Sequence, residues 1–127
     1  MSSERRRILV VEDSPMMCRM YRLVLGAEND VRFAANGVEG LDLAAQEPDV
    51  DLLIVDINMP HMDGLEFVRR LRTELGMTRP AVLVSSTESG EEDRRLAREA
   101  GADAFLAKPW TAEELRRAVR ERTGQGG

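Results

Sequence analysis

At 127 residues, 43% hydrophobic and 32% charged, the chain has the size and balance of one soluble domain with a genuine core. A formal net charge of −5 argues against a protein that wraps nucleic acid, and one cysteine, Cys18, excludes an internal disulfide and fits a reducing compartment. No apolar run approaches the roughly 20 residues that span a bilayer, and MSSERRR is followed by only ILVV before Glu12 and Asp13, which is not a signal peptide; a cytoplasmic location is expected.

A first strand is expected over residues 8–11 (ILVV), leading into the acidic pair Glu12 and Asp13. Ser14 and Pro15 can cap and open a helix with Met17, Met20, Val24 and Leu25 at core spacing. A weaker strand over 31–34 precedes a helix announced by Asn36 and Glu39, which stand at cap and N3 spacing. The third strand, 52–55 (LLIV), runs into Asp56 and a bend at Asn58, Met59 and Pro60, after which Asp63 with Glu66 announces the third helix. The fourth, 81–84 (AVLV), precedes Ser85 and Ser86; Ser89 with Glu92 should open the next helix and Gly101 should stop it in the left-handed conformation. A short strand over 104–106 leads to Lys108, Pro109 and Trp110. Thr111 with Glu114 then opens a last helix that turns Leu115, Ala118 and Val119 inward, before a GQGG tail expected to fray.

Five βα units in series imply an α/β fold: a five-stranded parallel sheet with helices on both faces and right-handed crossovers. Continuous apolar runs in the first, third and fourth strands suit positions covered on both faces, and the weaker second and fifth suit edges. The order of the strands is not written in the chain. The basic runs at residues 5–7, 69–72, 94–98 and 116–122, three of them in expected helices, read as solvated faces, with a partner-binding patch as the alternative. Trp110 reads as packing against the last helix, with a partner contact as the alternative.

In such sheets, ligand sites form at the carboxyl ends of the strands. That rule brings Glu12, Asp13, Asp56, Ser86 and Lys108 to one end. Gathered carboxylates repel unless a cation offsets them, and their hard oxygens suit Mg²⁺, for which Mn²⁺ could substitute. Phosphoryl chemistry follows: Asp56 as nucleophile, with metal, the Lys108 ammonium and the Ser86 hydroxyl each taking one oxygen of the transferred group. Pro60 and Pro109 would restrict the adjoining loops. Taken singly, each of these residues has an ordinary reading as a cap, turn or surface residue; their joint appearance at four strand ends carries the argument. His61 reads as a solvated loop residue, with a partner contact as the alternative. EDSPMM after the first strand lacks the phosphate cradle of a flavodoxin-like electron carrier, and GxxxxGK[ST] is absent.

The motifs ILVVEDSPMMCRM (8–20), LLIVDINMPHMDGLEFVRRLR (52–72), AVLVSSTES (81–89) and AGADAFLAKPW (100–110) together resemble the response-regulator receiver family of two-component signalling. The resemblance covers residues 8–122, with 1–7 as a flank and 123–127 as a tail. It implies the (βα)5 flavodoxin-like receiver fold with strand order 2-1-3-4-5. It makes Asp56 the phosphoacceptor and Glu12 and Asp13 the acidic pair that organises Mg²⁺, with Asp13 and Asp56 binding directly and Glu12 more through water. It places the backbone carbonyl of Asn58 in the metal site and gives Lys108 the phosphoryl contact. Ser86, favoured over Ser85 by its 30-residue separation from Asp56, and Phe105 take the switch positions. Thr87 stands where a small residue is usual.

Asn58 and Glu88 occupy turnover-tuning positions and look like those of fast-cycling, CheY-like chemotaxis receivers, so a short-lived aspartyl phosphate is expected. The expected donor is a histidine kinase or histidine phosphotransfer protein. The output surface would be residues 91–100, 104–106 and 111–122. The downstream protein is not named by the sequence, and a monomer or weak phosphorylation-dependent dimer is expected, with neither nucleic acid nor membrane as partner. With no further domain in the chain, output is expected through docking, onward transfer or a fused partner. Such a protein would catalyse its own phosphoryl transfer and aspartyl-phosphate hydrolysis rather than turn over a metabolite. The alternative is a receiver-like interaction module that never uses phosphorylation.

Overall fold

The computed structural model describes residues 5–59 and 62–123. The expectations for Pro60, His61 and the GQGG tail lie outside the described residues. Five strands, β1 (Arg6–Val11), β2 (Asn29–Ala34), β3 (Leu52–Asp56), β4 (Ala81–Ser86) and β5 (Ala104–Ala107), alternate with α1 (Pro15–Leu25), α2 (Gly37–Gln46), α3 (Gly64–Thr73), α4 (Glu91–Ala100) and α5 (Ala112–Thr123). All neighbouring strands are parallel, in the order β2-β1-β3-β4-β5, so the weak second and fifth strands do form the edges. Each strand runs past the limits expected from its apolar residues alone, β3 by the single residue Asp56. Ladder pairing, such as Arg6 with Asn29, carries polar residues into the sheet.

Alternation along the strands divides the core in two. Leu9, Val11, Leu53, Val55, Val82 and Val84 face α2, α3 and α4, against Phe67, Val68, Leu71 and Ala97. Ile8, Val10, Leu52, Ile54 and Leu83 face α1 and α5, against Tyr21, Leu25, Leu115 and Val119. Full burial of one such side chain contributes about 1.5–3 kcal/mol, so these two layers supply most of the drive to fold.

Four of the five expected helix caps are in place. Ser14, Asn36, Asp63 and Thr111 accept from the N–H groups of Met17, Glu39, Glu66 and Glu114. At Thr111 the bond is returned by Glu114 Oε1 at 2.9 Å. The fourth helix corrects the expectation. Gly90, not Ser89, is its cap residue, and Asp93 rather than Glu92 reaches back, accepting from the Gly90 N–H at 3.0 Å. Glu92 instead pairs with Arg95 across one turn. Gly101 ends α4 at φ 118, as expected.

On α1 Leu25 is buried as expected and Tyr21, 1% exposed, joins it, whereas Met20, expected in the core, is 40% exposed. Trp110 is buried against Tyr21, with ring centroids 5.0 Å apart, and packs in the α1/α5 layer, which supports its structural reading. The basic runs are only partly solvated faces. Arg72 is largely buried, and its guanidinium bonds to the carbonyls of Gly101, Met77 and Pro80 and to Asp103. Among the described residues, no helix is long and apolar enough to cross a membrane.

Candidate functional site

Parallel strands end together, so the residues after β1, β3 and β5 meet although they are up to 96 positions apart in sequence. Glu12 continues the ladder beyond β1 through its N–H to the Ala34 carbonyl at 2.9 Å. Asp56 is the last residue of β3, and Lys108 follows β5 directly, its N–H held by the Ser86 carbonyl at 2.9 Å. Carboxylate oxygens of Glu12, Asp13 and Asp56 all lie within 4.8 Å of one another. Lys108 Nζ donates to Glu12 Oε1 at 3.0 Å and to Asp56 Oδ1 at 3.3 Å. Glu12 Oε2 accepts from the Ser14 N–H at 3.2 Å, so both oxygens of that buried carboxylate are engaged inside the protein. Asp13 faces solvent.

One ammonium does not neutralise this group. Burial pushes the Asp56 carboxyl above its ordinary range despite Lys108, and the Asp13 charge adds to the rise. Burial likewise pushes up Glu12, against the Lys108 hydrogen bond, with the Asp56 charge adding to the effect. A group of three carboxylates with hard oxygen donors within 4.8 Å of one another, two of them buried and under-compensated, fits a small divalent cation.

The backbone under Asp56 is held by a close approach. Gly64 opens α3, and its N–H bonds the Ile57 carbonyl at 2.8 Å. A Cβ at Gly64 would come 2.2 Å from the Asp56 carbonyl oxygen, so only glycine lets α3 start against the loop that follows the acid. Asn58 is exposed, and its nearby backbone N–H favours the charged form of the Asp56 carboxylate without offsetting the effect of burial.

Ser85 and Ser86 are both fully buried at the end of β4. Ser85 pairs in register with Asp56, and its hydroxyl donates to the Leu106 carbonyl at 2.8 Å. The Ser86 hydroxyl accepts from the Glu88 N–H at 3.1 Å, so it is engaged within its own loop rather than with Asp56. Thr87 and Glu88 are exposed beyond it. Phe105 is half-buried on β5 against the α3/α4 side of the core, with the Arg94 guanidinium over its ring.

Sequence reasoning passed over Tyr21, Gly64 and Arg94. Tyr21 sits beside Ser85 and close enough to Glu12 and Asp56 to feel their charge; burial pushes its phenol up. Its i, i+4 spacing from Met17 was a usable signal. The Asp63–Gly64 pair at a helix start was another, whereas nothing in the sequence pattern pairs Arg94 with Phe105.

Comparison with known proteins agrees with this arrangement. The family model described as "Response regulator receiver domain" matches residues 8–120. A chemotaxis protein CheY homolog of Campylobacter jejuni is 35% identical over 122 residues, covering 94% of each chain. The sensor histidine kinase RcsC of Salmonella typhi is 34% identical over 119 residues, which span 93% of this chain but 12% of that protein. The structure of Vibrio cholerae chemotaxis protein CheY4 superposes with a TM-score of 0.87 at 32% identity, covering 94% of this chain and 99% of that one.

Proposed function

Because this chain belongs to the response-regulator receiver family, we propose that it takes a phosphoryl group from a phosphohistidine onto Asp56 and signals through the surface of α4, β5 and α5. The observation that carries this reading is the buried Asp56 carboxylate, 3.3 Å from Lys108 Nζ and clustered with Glu12 and Asp13. The donor would be a histidine kinase or a histidine phosphotransfer protein. We place the protein in the cytoplasm, where such donors present their phosphohistidine.

An Asp56 Oδ attacks phosphorus, the P–N bond to the donor imidazole breaks, and an acyl phosphate forms. An ionised carboxylate needs no general base. Lys108 holds one phosphoryl oxygen by its ammonium, and the Ser86 hydroxyl takes another once it leaves the Glu88 N–H. Glu12, Asp13, Asp56 and the Asn58 carbonyl would hold Mg²⁺ or Mn²⁺, with Glu12 acting through water since both its oxygens already have partners. When bound, the ion neutralises charge on the phosphoryl oxygens. Water later attacks phosphorus, releasing phosphate and returning Asp56 as a carboxylate; Asn58 and Glu88, both exposed, would set how fast. Movement of Ser86 toward the phosphoryl group draws the loop after β4 with it and lets Phe105 settle inward, which changes the α4–β5–α5 surface.

Incubation with Mg²⁺ and acetyl phosphate, followed by intact mass and site mapping, tests this. A single phosphoryl adduct on Asp56, lost in Asp56→Asn and decaying well within hours, is the expected result. An adduct elsewhere, or none on folded protein, overturns the reading, and one that persists for many hours overturns the fast-turnover part alone.

A further inference from the structure

Arg94 joins the two parts that the proposed switch must move. Its Nε donates to the Ser89 carbonyl at 3.0 Å, in the loop that leaves β4 at Ser86, and its guanidinium carbon lies 4.8 Å from the centroid of the Phe105 ring. Its neighbour on the helix, Arg95, is engaged differently, pairing with Glu92 and Glu99 along the solvent face. Arg94 is half-buried, on the first turn of α4, and lines a small recess of about 150 Å³ with Arg98, Ala102 and Phe105.

We propose that Arg94 is a latch, a positioning residue that holds Phe105 in its present place and resists the movement of the loop after β4; the inference rests on Asp56 being the phosphoacceptor. A phenylalanine has no hydroxyl by which a hydrogen bond could hold it in either position. The guanidinium supplies that hold instead, through its face on the ring and its bond to Ser89. The Ser86 hydroxyl accepts from the Glu88 N–H, one residue before Ser89. Drawing Ser86 toward a phosphoryl group therefore pulls on the same short segment. Arg94 cannot follow the Ser89 carbonyl and stay over the ring, so its contacts favour the unphosphorylated state. A contact made in one state only is a coupling between site and surface.

The sign of the effect separates this latch from plain electrostatics. Removing a cation near an anion site weakens anion binding; removing a latch strengthens it. Beryllofluoride with Mg²⁺, as a phosphoryl stand-in, is titrated by calorimetry into wild type, Arg94→Ala, Phe105→Leu, the double variant and Arg98→Ala. The latch predicts binding about two- to five-fold tighter for Arg94→Ala, the scale of one part-exposed cation–ring contact. It predicts no such gain from Arg94→Ala in the Phe105→Leu background, and none in Arg98→Ala, which removes the same charge one turn away. Unchanged or weaker binding in Arg94→Ala overturns it, as does an equal gain in both backgrounds. Acetyl phosphate labelling of the wild type separates the two failures. If Asp56 is labelled while all variants titrate alike, only the latch falls; if wild-type Asp56 takes no phosphoryl group, the latch falls with the reading beneath it.

Discussion

At the amino ends of the strands, charges meet in opposite pairs near water: Arg7 with Asp49 at 2.6 Å, Arg5 with Asp30 at 3.0 Å and Arg32 with Glu47 at 2.8 Å. At the carboxyl ends, three carboxylates cluster around one ammonium that pairs with only the two buried ones, Glu12 and Asp56. A concavity of about 480 Å³ lies at the first end among the paired charges, while the proposed chemistry belongs to the second. Size of cavity is thus a poor guide here. The unbalanced, desolvated cluster is what favours the carboxyl end as the proposed working end, because stability gains nothing from that arrangement.

The widest gap between the two ends should appear on removing Arg72. Its guanidinium ties Gly101, Met77, Pro80 and Asp103 together beneath the amino ends of β4 and β5. Arg72→Ala should cost about 2–4 kcal/mol in urea denaturation, through carbonyls left without donors. Asp56 labelling by acetyl phosphate in the still-folded fraction should be unchanged. A loss of labelling without a loss of stability would break the division between a structural and a working end.

Asp56→Asn should do the reverse and raise the stability of metal-free protein by about 1 kcal/mol at neutral pH, by removing an under-compensated buried charge. The pH dependence follows from the raised carboxyls. Ordinary values are 3.8 for Asp56 and 4.5 for Glu12. Because folding raises both, the folded protein holds protons that the unfolded chain has already released. Their contribution to stability is full below the unfolded values and is lost as pH rises through the folded ones. The advantage of Asp56→Asn should therefore be largest at neutral pH and close as pH falls below about 3.8, where Asp56 is protonated in both states. Mg²⁺ at about a hundred times its dissociation constant should add about 2.7 kcal/mol to the wild type, and less to the variant. Equal stability of the two proteins across pH would show the carboxylates to be better balanced than their burial implies.

The smallest effect is expected at the exposed pair. Arg7 and Asp49 are 53% and 65% exposed at the side chain. A double-mutant cycle with Arg7→Ala and Asp49→Ala should give a coupling below about 1 kcal/mol that fades with added salt. A larger, salt-resistant value would make the amino end an organised network instead of a set of solvated pairs.

The elements themselves were legible from patterning. ILVV, LLIV and AVLV are apolar on both sides of the pleat, and they became the three central strands. The caps at Ser14, Asn36, Asp63 and Thr111 were legible because each is a local bond between a side chain and a nearby N–H. The fourth cap was misplaced since Ser89–Glu92 and Gly90–Asp93 offer the same spacing one residue apart, and local chemistry alone does not choose between them. Met20 and Tyr21 show a similar limit: a rotation of one residue around α1 decides which is buried, and Tyr21 fills the space against Trp110.

The chain by itself determined that five βα units would form and that acids, a lysine and hydroxyls would stand at their ends, because hydrophobic period, capping and turn chemistry act over a few residues. The family resemblance added the strand order and the likeness of the site residues to a known set. Only the tertiary structure decided what depends on contacts across long separations: that Lys108 lies between Glu12 and Asp56, that α3 begins against the Asp56 carbonyl at Gly64, and that Arg94 covers Phe105. Those contacts join segments that packing alone brings together, and no short-range preference of either partner announces the other.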